Sequence, residues 1–144
     1  MPGMTREQVQ SLIERRNAAW AARDAAALAA THAPDGTVDS PFGGHLKGRE
    51  AIERVYRVWL TAFPDLLWQP EEVVIDGDSA VVLARMAGTH AGEFFGLAPG
   101  GRHIEVEVAI VMRVGDGLVA SERRIYDFTG VLVQTGVLKA KPVS

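Results

Sequence analysis

A chain of 144 residues has the size of one domain and is long enough to bury its own core. Its net charge of −3 and pI of about 5.8 supply no basic field for nucleic acid, and the absence of cysteine excludes disulfides and thiolate chemistry. No apolar run nears the roughly 20 residues that span a bilayer. The start, Met1-Pro2-Gly3-Met4-Thr5-Arg6-Glu7, lacks the apolar stretch of a signal peptide. These features predict a single domain over 1–144, cytoplasmic, with neither a membrane nor a nucleic acid as partner.

Thr5 followed three residues later by Gln8 is a capping-box pattern that opens a helix. Val9, Ile13, Arg16 or Asn17, and Trp20 then fall at helical spacing, which sets Asn17 on or beside the apolar stripe. Arg23-Asp24 breaks the pattern, and Asp24 caps a second helix from Ala25 to Thr31. His32 to Gly36 reads as a turn, Thr37 to Ser40 as a short strand stopped by Pro41, and Phe42 to Gly48 as a loop. A strongly amphipathic helix follows from Arg49 to Phe63, with Ile52, Tyr56, Trp59 and Phe63 on one stripe, and Pro64 ends it.

The remainder is strand-rich. Leu66 to Ile75 and Ala80 to Thr89 are strands around the turn Gly77-Asp78. His90 to Gly101 is a glycine-rich loop carrying Phe94-Phe95. His103 to Val114 and Leu118 to Asp127 are strands around the hairpin Gly115-Asp116-Gly117, and the apolar segment Val131-Leu132-Val133 comes after them. Helical segments preceding an antiparallel meander predict an α+β fold, with helices packed on one face of a curved sheet. Along the third of these strands His103, Glu105 and Glu107 alternate with Ile104, Val106, Val108 and Ile110. A three-residue hairpin loop sets Glu105 opposite Asp127, giving a polar concave pocket and an apolar outer face that calls for a homodimer. A two-residue loop sets Val106 there instead, isolates Asp127 among apolar groups and turns the glutamates to water.

With these elements in order, the chain resembles the SnoaL-like polyketide cyclases of the nuclear transport factor 2-like superfamily. The residues that carry the resemblance are Phe63-Pro64-Asp65-Leu66, Gly88-Thr89-His90-Ala91-Gly92-Glu93-Phe94, Pro99-Gly100-Gly101-Arg102, and Asp127-Phe128-Thr129-Gly130-Val131-Leu132 with Gln134 and Gly136. It implies a cone-shaped, curved and mostly antiparallel sheet with helices packed on its concave side. It also implies a cofactor-independent enzyme in which Asp127 serves as acid/base for an intramolecular aldol ring closure on a polyketide-like or other carbonyl-rich small molecule. Where the family often carries an aromatic residue, four positions before that aspartate, this chain has Arg123. A cationic group there suits an anionic or enolate-bearing ligand.

A single carboxylate in a water-poor pocket can take and return the proton in such a reaction when desolvation raises its pKa. No metal is needed, since paired carbonyls already acidify the carbon, and the four histidines show no ligand spacing. The candidate catalytic set is therefore Asp127 with Arg123 and the proton donors His90 and His103. The candidate substrate-binding set is Asn17, Trp20, Tyr56, Trp59, Phe63 and Glu105, between the long helix and the sheet. Two other readings stand beside this one. The epoxide hydrolases of the same fold need an arginine flanked by two carboxylates, which Arg123 with Asp127, Glu105 and Glu107 would rebuild. A non-catalytic binding module would keep the pocket without the chemistry.

Overall fold

In the computed structural model, which describes residues 3–94 and 96–139, Thr5 caps α1 (Arg6–Ala21) with the reciprocal bonds of a capping box. Asp24 caps α2 (Ala25–Ala30) by accepting from the backbone of Ala27. The amphipathic stripe becomes α3 (Arg49–Ala62). Around them runs one six-stranded sheet of β1 (His32–Ser40), β2 (Gly44–Lys47), β3 (Leu67–Asp76), β4 (Ser79–Thr89), β5 (His103–Gly115) and β6 (Leu118–Tyr126), in the order β2-β1-β6-β5-β4-β3. The sheet is curved and unclosed, and every pairing is antiparallel except β1 with β6. The mixed α+β architecture is the predicted one.

Three local elements differ from the sequence reading. The predicted turn at 32–36 lies inside β1, where the register slips between His32 and Thr37; Pro34-Asp35-Gly36 makes an irregularity in a strand rather than its end. The loop at 42–48 contains β2, because Gly44, at φ 65°, lets the chain reverse onto β1. Beyond β6 the apolar segment is α4 (Phe128–Thr135), capped by Asp127 and closed by Gly136 at φ 84°. In that closure Gly136 N–H donates to Val133 C=O at 3.1 Å and Leu138 N–H reaches Leu132 C=O at 3.0 Å, so two carbonyls of the last turn are satisfied. Since β6 stops at Tyr126, the backbone of Glu105 has no strand partner on that side. The Gln134 amide takes both of its groups, accepting from the N–H at 2.7 Å and donating to the C=O at 3.1 Å.

The hairpin decides which face is inside. Asp116 and Gly117, both at positive φ, form a two-residue turn. A bulge near Arg113 and Val114 then shifts the register so that Val108 pairs with Tyr126. One step further along, Glu107 comes level with Asp127, which neither predicted register gave. Ile104, Val106, Val108 and Ile110 are 0–7% exposed and face the helices, while Glu105 and Glu107 face out. The apolar set expected on an outer dimer face is thus the core of one protomer.

The loop after β4 is pinned to the end of α3: the N–H groups of Ala91 and Gly92 both donate to Ala62 C=O, at 3.0 and 3.1 Å. A Cβ on Gly92 would lie 1.9 Å from the Thr61 carbonyl oxygen. Gly92→Ala is therefore expected to cost about 2 kcal/mol or more by forcing these backbones apart, read as a drop in thermal midpoint; an unchanged midpoint contradicts this packing.

Candidate active site

The concave side of the sheet encloses a cluster of charged and hydroxyl groups that the sequence reading did not assemble. Glu122 and Arg124 alternate along β6 and point inward, and α1 brings Arg16 to meet them. Arg16 Nη2 pairs with Glu122 Oε1, and Arg124 Nε donates to Glu122 Oε2 at 2.5 Å. Burial raises the Glu122 carboxyl, but Arg16 and Arg124 outweigh it and pull the pKa down to about 2. Arg16 also donates to Thr31 Oγ1 at 2.9 Å and to His32 Nε2 at 3.2 Å. An arginine can only donate, so His32 Nε2 is the acceptor and the ring proton sits on Nδ1. The Tyr56 hydroxyl lies 2.8 Å from the same Nε2. Burial, reinforced by Arg16 and Arg124 against the opposing pull of Glu122, drops His32 to about 3, so the imidazole is neutral. Burial raises the Tyr56 phenol, and the Arg124 guanidinium lies 4.6 Å from its ring centroid.

Over this cluster lies a cavity of about 30 Å³, lined by Arg16, Glu122, Arg124, Tyr126, the three tryptophans Trp20, Trp59 and Trp68, and the apolar Met86, Val108 and Ile110. Trp68 stacks on Trp20 at 4.9 Å and donates from Nε1 to Asn17 Oδ1 at 3.2 Å. Burial pushes the Tyr126 phenol up to about 12. The space holds a water molecule or two; a ring-sized ligand needs roughly ten times as much, so binding requires the aromatic wall to open. On the opposite face of the sheet, Glu71, Glu72, Glu105, Glu107, Tyr126, Asp127 and Gln134 are among the residues bordering a shallow groove of about 720 Å³. Its carboxylates are exposed and solvated, whereas the inner cavity concentrates desolvated charge, the condition for strong electrostatics.

The predicted site residues divide between these places. Trp20 and Trp59 line the inner cavity, Tyr56 lies buried behind it, and Asn17 orients Trp68. Phe63 is fully buried against Trp59, Phe94 and His90, outside the lining. His90 is buried between Phe63 and Phe94, and His103 is exposed at the start of β5. Asp127 is exposed and accepts from Gly130 N–H at 2.8 Å as the cap of α4. Arg123, four residues before it, points outward, and the β6 cation that lines the cavity with Arg16 is its neighbour Arg124, since one residue along a strand reverses the face. Nor does Arg123 sit between the glutamates: Arg85 does, at 3.0 Å from Glu105 and 3.1 Å from Glu107. Arg16, His32, Glu122, Arg124 and Tyr126 were missed as site residues. The available signal was the alternation Glu122, Arg124, Tyr126 on one face of β6, together with a charged Arg16 within the α1 stripe. Among the described residues no group of three or more His, Asp or Glu is placed to hold a metal ion, and no helix is long and apolar enough to cross a membrane.

A curved sheet folded over helices around a buried polar cavity is the nuclear transport factor 2-like architecture. The SnoaL-like polyketide cyclase profile matches residues 10–135, and the chain belongs to that family. Among solved structures, a candidate SnoaL-like polyketide cyclase from Jannaschia sp. CCS1 is 26% identical, with 97% of this chain and 100% of that one covered and a TM-score of 0.82. IdmH, a candidate polyketide cyclase from Streptomyces antibioticus, is 29% identical over 88% of this chain and 97% of its own, with a TM-score of 0.73. AclR, a candidate hydroxylase from Streptomyces galilaeus, shares the fold at a TM-score of 0.81 and 24% identity, covering 94% of this chain and 85% of its own. None of the curated proteins matches the chain.

Proposed function

We propose that this protein is a cofactor-independent enzyme of the cyclase type, acting on a carbonyl-rich small molecule in the inner cavity. The observation that carries the reading is the Glu122–Arg124 pair on the wall of an aromatic-lined cavity. A substrate carbonyl takes up a hydrogen bond from Arg124, which stabilises the enolate oxygen as it forms. Sharing Arg124 with the substrate weakens the pull that holds Glu122 so acidic, and Glu122 accepts the proton from the carbon between two carbonyls. The electron pair left on carbon attacks a second carbonyl of the same molecule. The resulting alkoxide takes its proton from Tyr126, which burial keeps neutral, and the proton taken up by Glu122 then passes to the Tyr126 phenolate, which resets both groups.

Asp127, the candidate of the family resemblance, supports a second reading at the outer groove, where it stands with Glu105 and Glu107 and where Arg85 lies between those two glutamates. An arginine flanked by two carboxylates is the arrangement epoxide hydrolysis uses, with the carboxylates activating water. The test is turnover of an aryl β-keto ester and of an aryl epoxide by the wild type, Tyr126→Phe and Asp127→Asn. The cyclase reading expects Tyr126→Phe to lower kcat on the keto ester about 100-fold and Asp127→Asn to leave it within a few-fold. Loss of epoxide turnover in Asp127→Asn alone would establish the outer groove, and tight ligand binding with no turnover of either substrate would leave a binding module. We further propose a homodimer through the outer sheet face, now on Leu83, Val111 and Ile125, which are 38%, 38% and 48% exposed; sedimentation as a monomer at micromolar concentration rules it out.

A further inference from the structure

The buried cluster is not electrically balanced. Arg16 and Arg124 are both cationic and share one carboxylate, Glu122. The other titratable groups packed against them are His32, Tyr56 and Tyr126, and none supplies a second negative charge: the imidazole is neutral and both phenols are held protonated. Arg49 approaches from α3 and adds positive charge nearby, bonding to the His32 carbonyl at 2.7 Å. One positive charge is left over in a water-poor interior, where an uncompensated ion is costly. That surplus has a location. Arg124 is only 9% exposed, and of its guanidinium nitrogens Nη2 is buried with no hydrogen-bond partner among the described residues. Glu122 is engaged on both oxygens, by Arg16 and by Arg124 Nε, so it offers Nη2 nothing further. Arg124 lines the cavity, and the rest of the wall is largely aromatic.

We infer that the inner cavity selects a planar conjugated ligand in its oxyanionic form, an enolate, phenolate or aryl carboxylate, with one oxygen on Arg124 and the ring system among the tryptophans. A neutral ligand of the same shape, admitted when the aromatic wall opens, leaves the surplus charge unpaired. The oxyanion supplies both the missing charge and an acceptor for Nη2, and charge-assisted bonds of this kind are roughly twice as strong as neutral ones. The inference rests on the inner cavity being the ligand site, but not on any reaction taking place there.

All three tryptophans of the chain line the cavity, so quenching of their fluorescence reports occupancy directly. The probes are 2-hydroxy-1,4-naphthoquinone, which is ionised at neutral pH, its uncharged O-methyl ether, and the pair 2-naphthoate and methyl 2-naphthoate. The expected result is that each anion binds at least about tenfold more tightly than its neutral partner. A preference confined to the quinone assigns the site to enolates, and one confined to the naphthoate assigns it to carboxylates. In Arg124→Met the preference collapses to about onefold while the affinity for the ethers and esters is kept; Arg124→Lys, which keeps the charge and guards against a Met variant that does not fold, retains part of it. Equal affinities for anion and neutral partner in the wild type, or no quenching by either anion up to about 1 mM, overturn the inference. Binding without turnover leaves it standing while the cyclase reading falls, and turnover of neutral keto esters without anion preference does the reverse.

Discussion

Replacing Glu122 by Gln is expected to lower the stability of the fold by about 3–5 kcal/mol, the cost of leaving buried cations without their counter-ion. The carboxylate is inaccessible, pairs with Arg16 on one oxygen and accepts from Arg124 on the other, and no second acid lies within the cluster. An amide keeps the shape and one acceptor but none of the charge. Urea unfolding followed by circular dichroism measures the loss. Adding Arg124→Met to Glu122→Gln should recover part of it, because removing both partners of a buried pair costs less than removing one. A loss below about 1 kcal/mol, as expected of an exposed pair, would mean that these side chains are hydrated.

Acid should lower the stability of the protein in two stages. His32 falls from its usual 6.5 to about 3 on folding, chiefly by burial, so below pH 6.5 the unfolded chain binds a proton that the folded one refuses. Stability is therefore complete above pH 6.5 and is lost as the pH drops toward 3, by something on the order of 4 kcal/mol. Glu122 falls from 4.5 to about 2: burial raises it, and Arg16 and Arg124 more than reverse this. Its contribution is complete above pH 4.5 and is lost as the pH falls toward 2, by about 3 kcal/mol more. Together the losses reach roughly 4 kcal/mol at pH 4 and roughly 6 kcal/mol at pH 3, so a stability at the lower end of the typical range of about 5–15 kcal/mol is exhausted between those two values. Urea titrations from pH 8 to pH 3 should show a plateau, then a decline beginning near 6.5 that steepens below 4.5. His32→Gln should flatten the upper part alone. A wild-type profile flat from pH 7 to pH 5 would show that His32 is protonated in the folded protein.

The helices were legible because their signals are local. Thr5 and Gln8 form a capping box whatever surrounds them, and the stripe through Ile52, Tyr56 and Trp59 has one way to be buried. The strand pairs around Gly77-Asp78 and Asp116-Gly117 were equally readable, as was the family, whose motifs are spread along the chain. The site was not, because it depends on register. The sequence shows that His103, Glu105 and Glu107 share one face of a strand, but only the packing of the opposite face, Ile104 to Ile110, into the core decides that this face meets water, and on β6 the bulge beside Arg113 and Val114 sets the parity. The same parity puts Arg124 inside and Arg123 outside, and one slipped residue would exchange them. Asp127 stood out as a carboxylate at a strand end, and that position makes it the cap of α4, a helix too short and too apolar to announce itself. Arg16, His32 and Glu122 come from α1, β1 and β6, up to 106 residues apart, and meet only when the sheet curls over the helices. Sequence by itself determined the three leading helices, the four long strands that follow them and the family; the tertiary structure decided which charges lost their water.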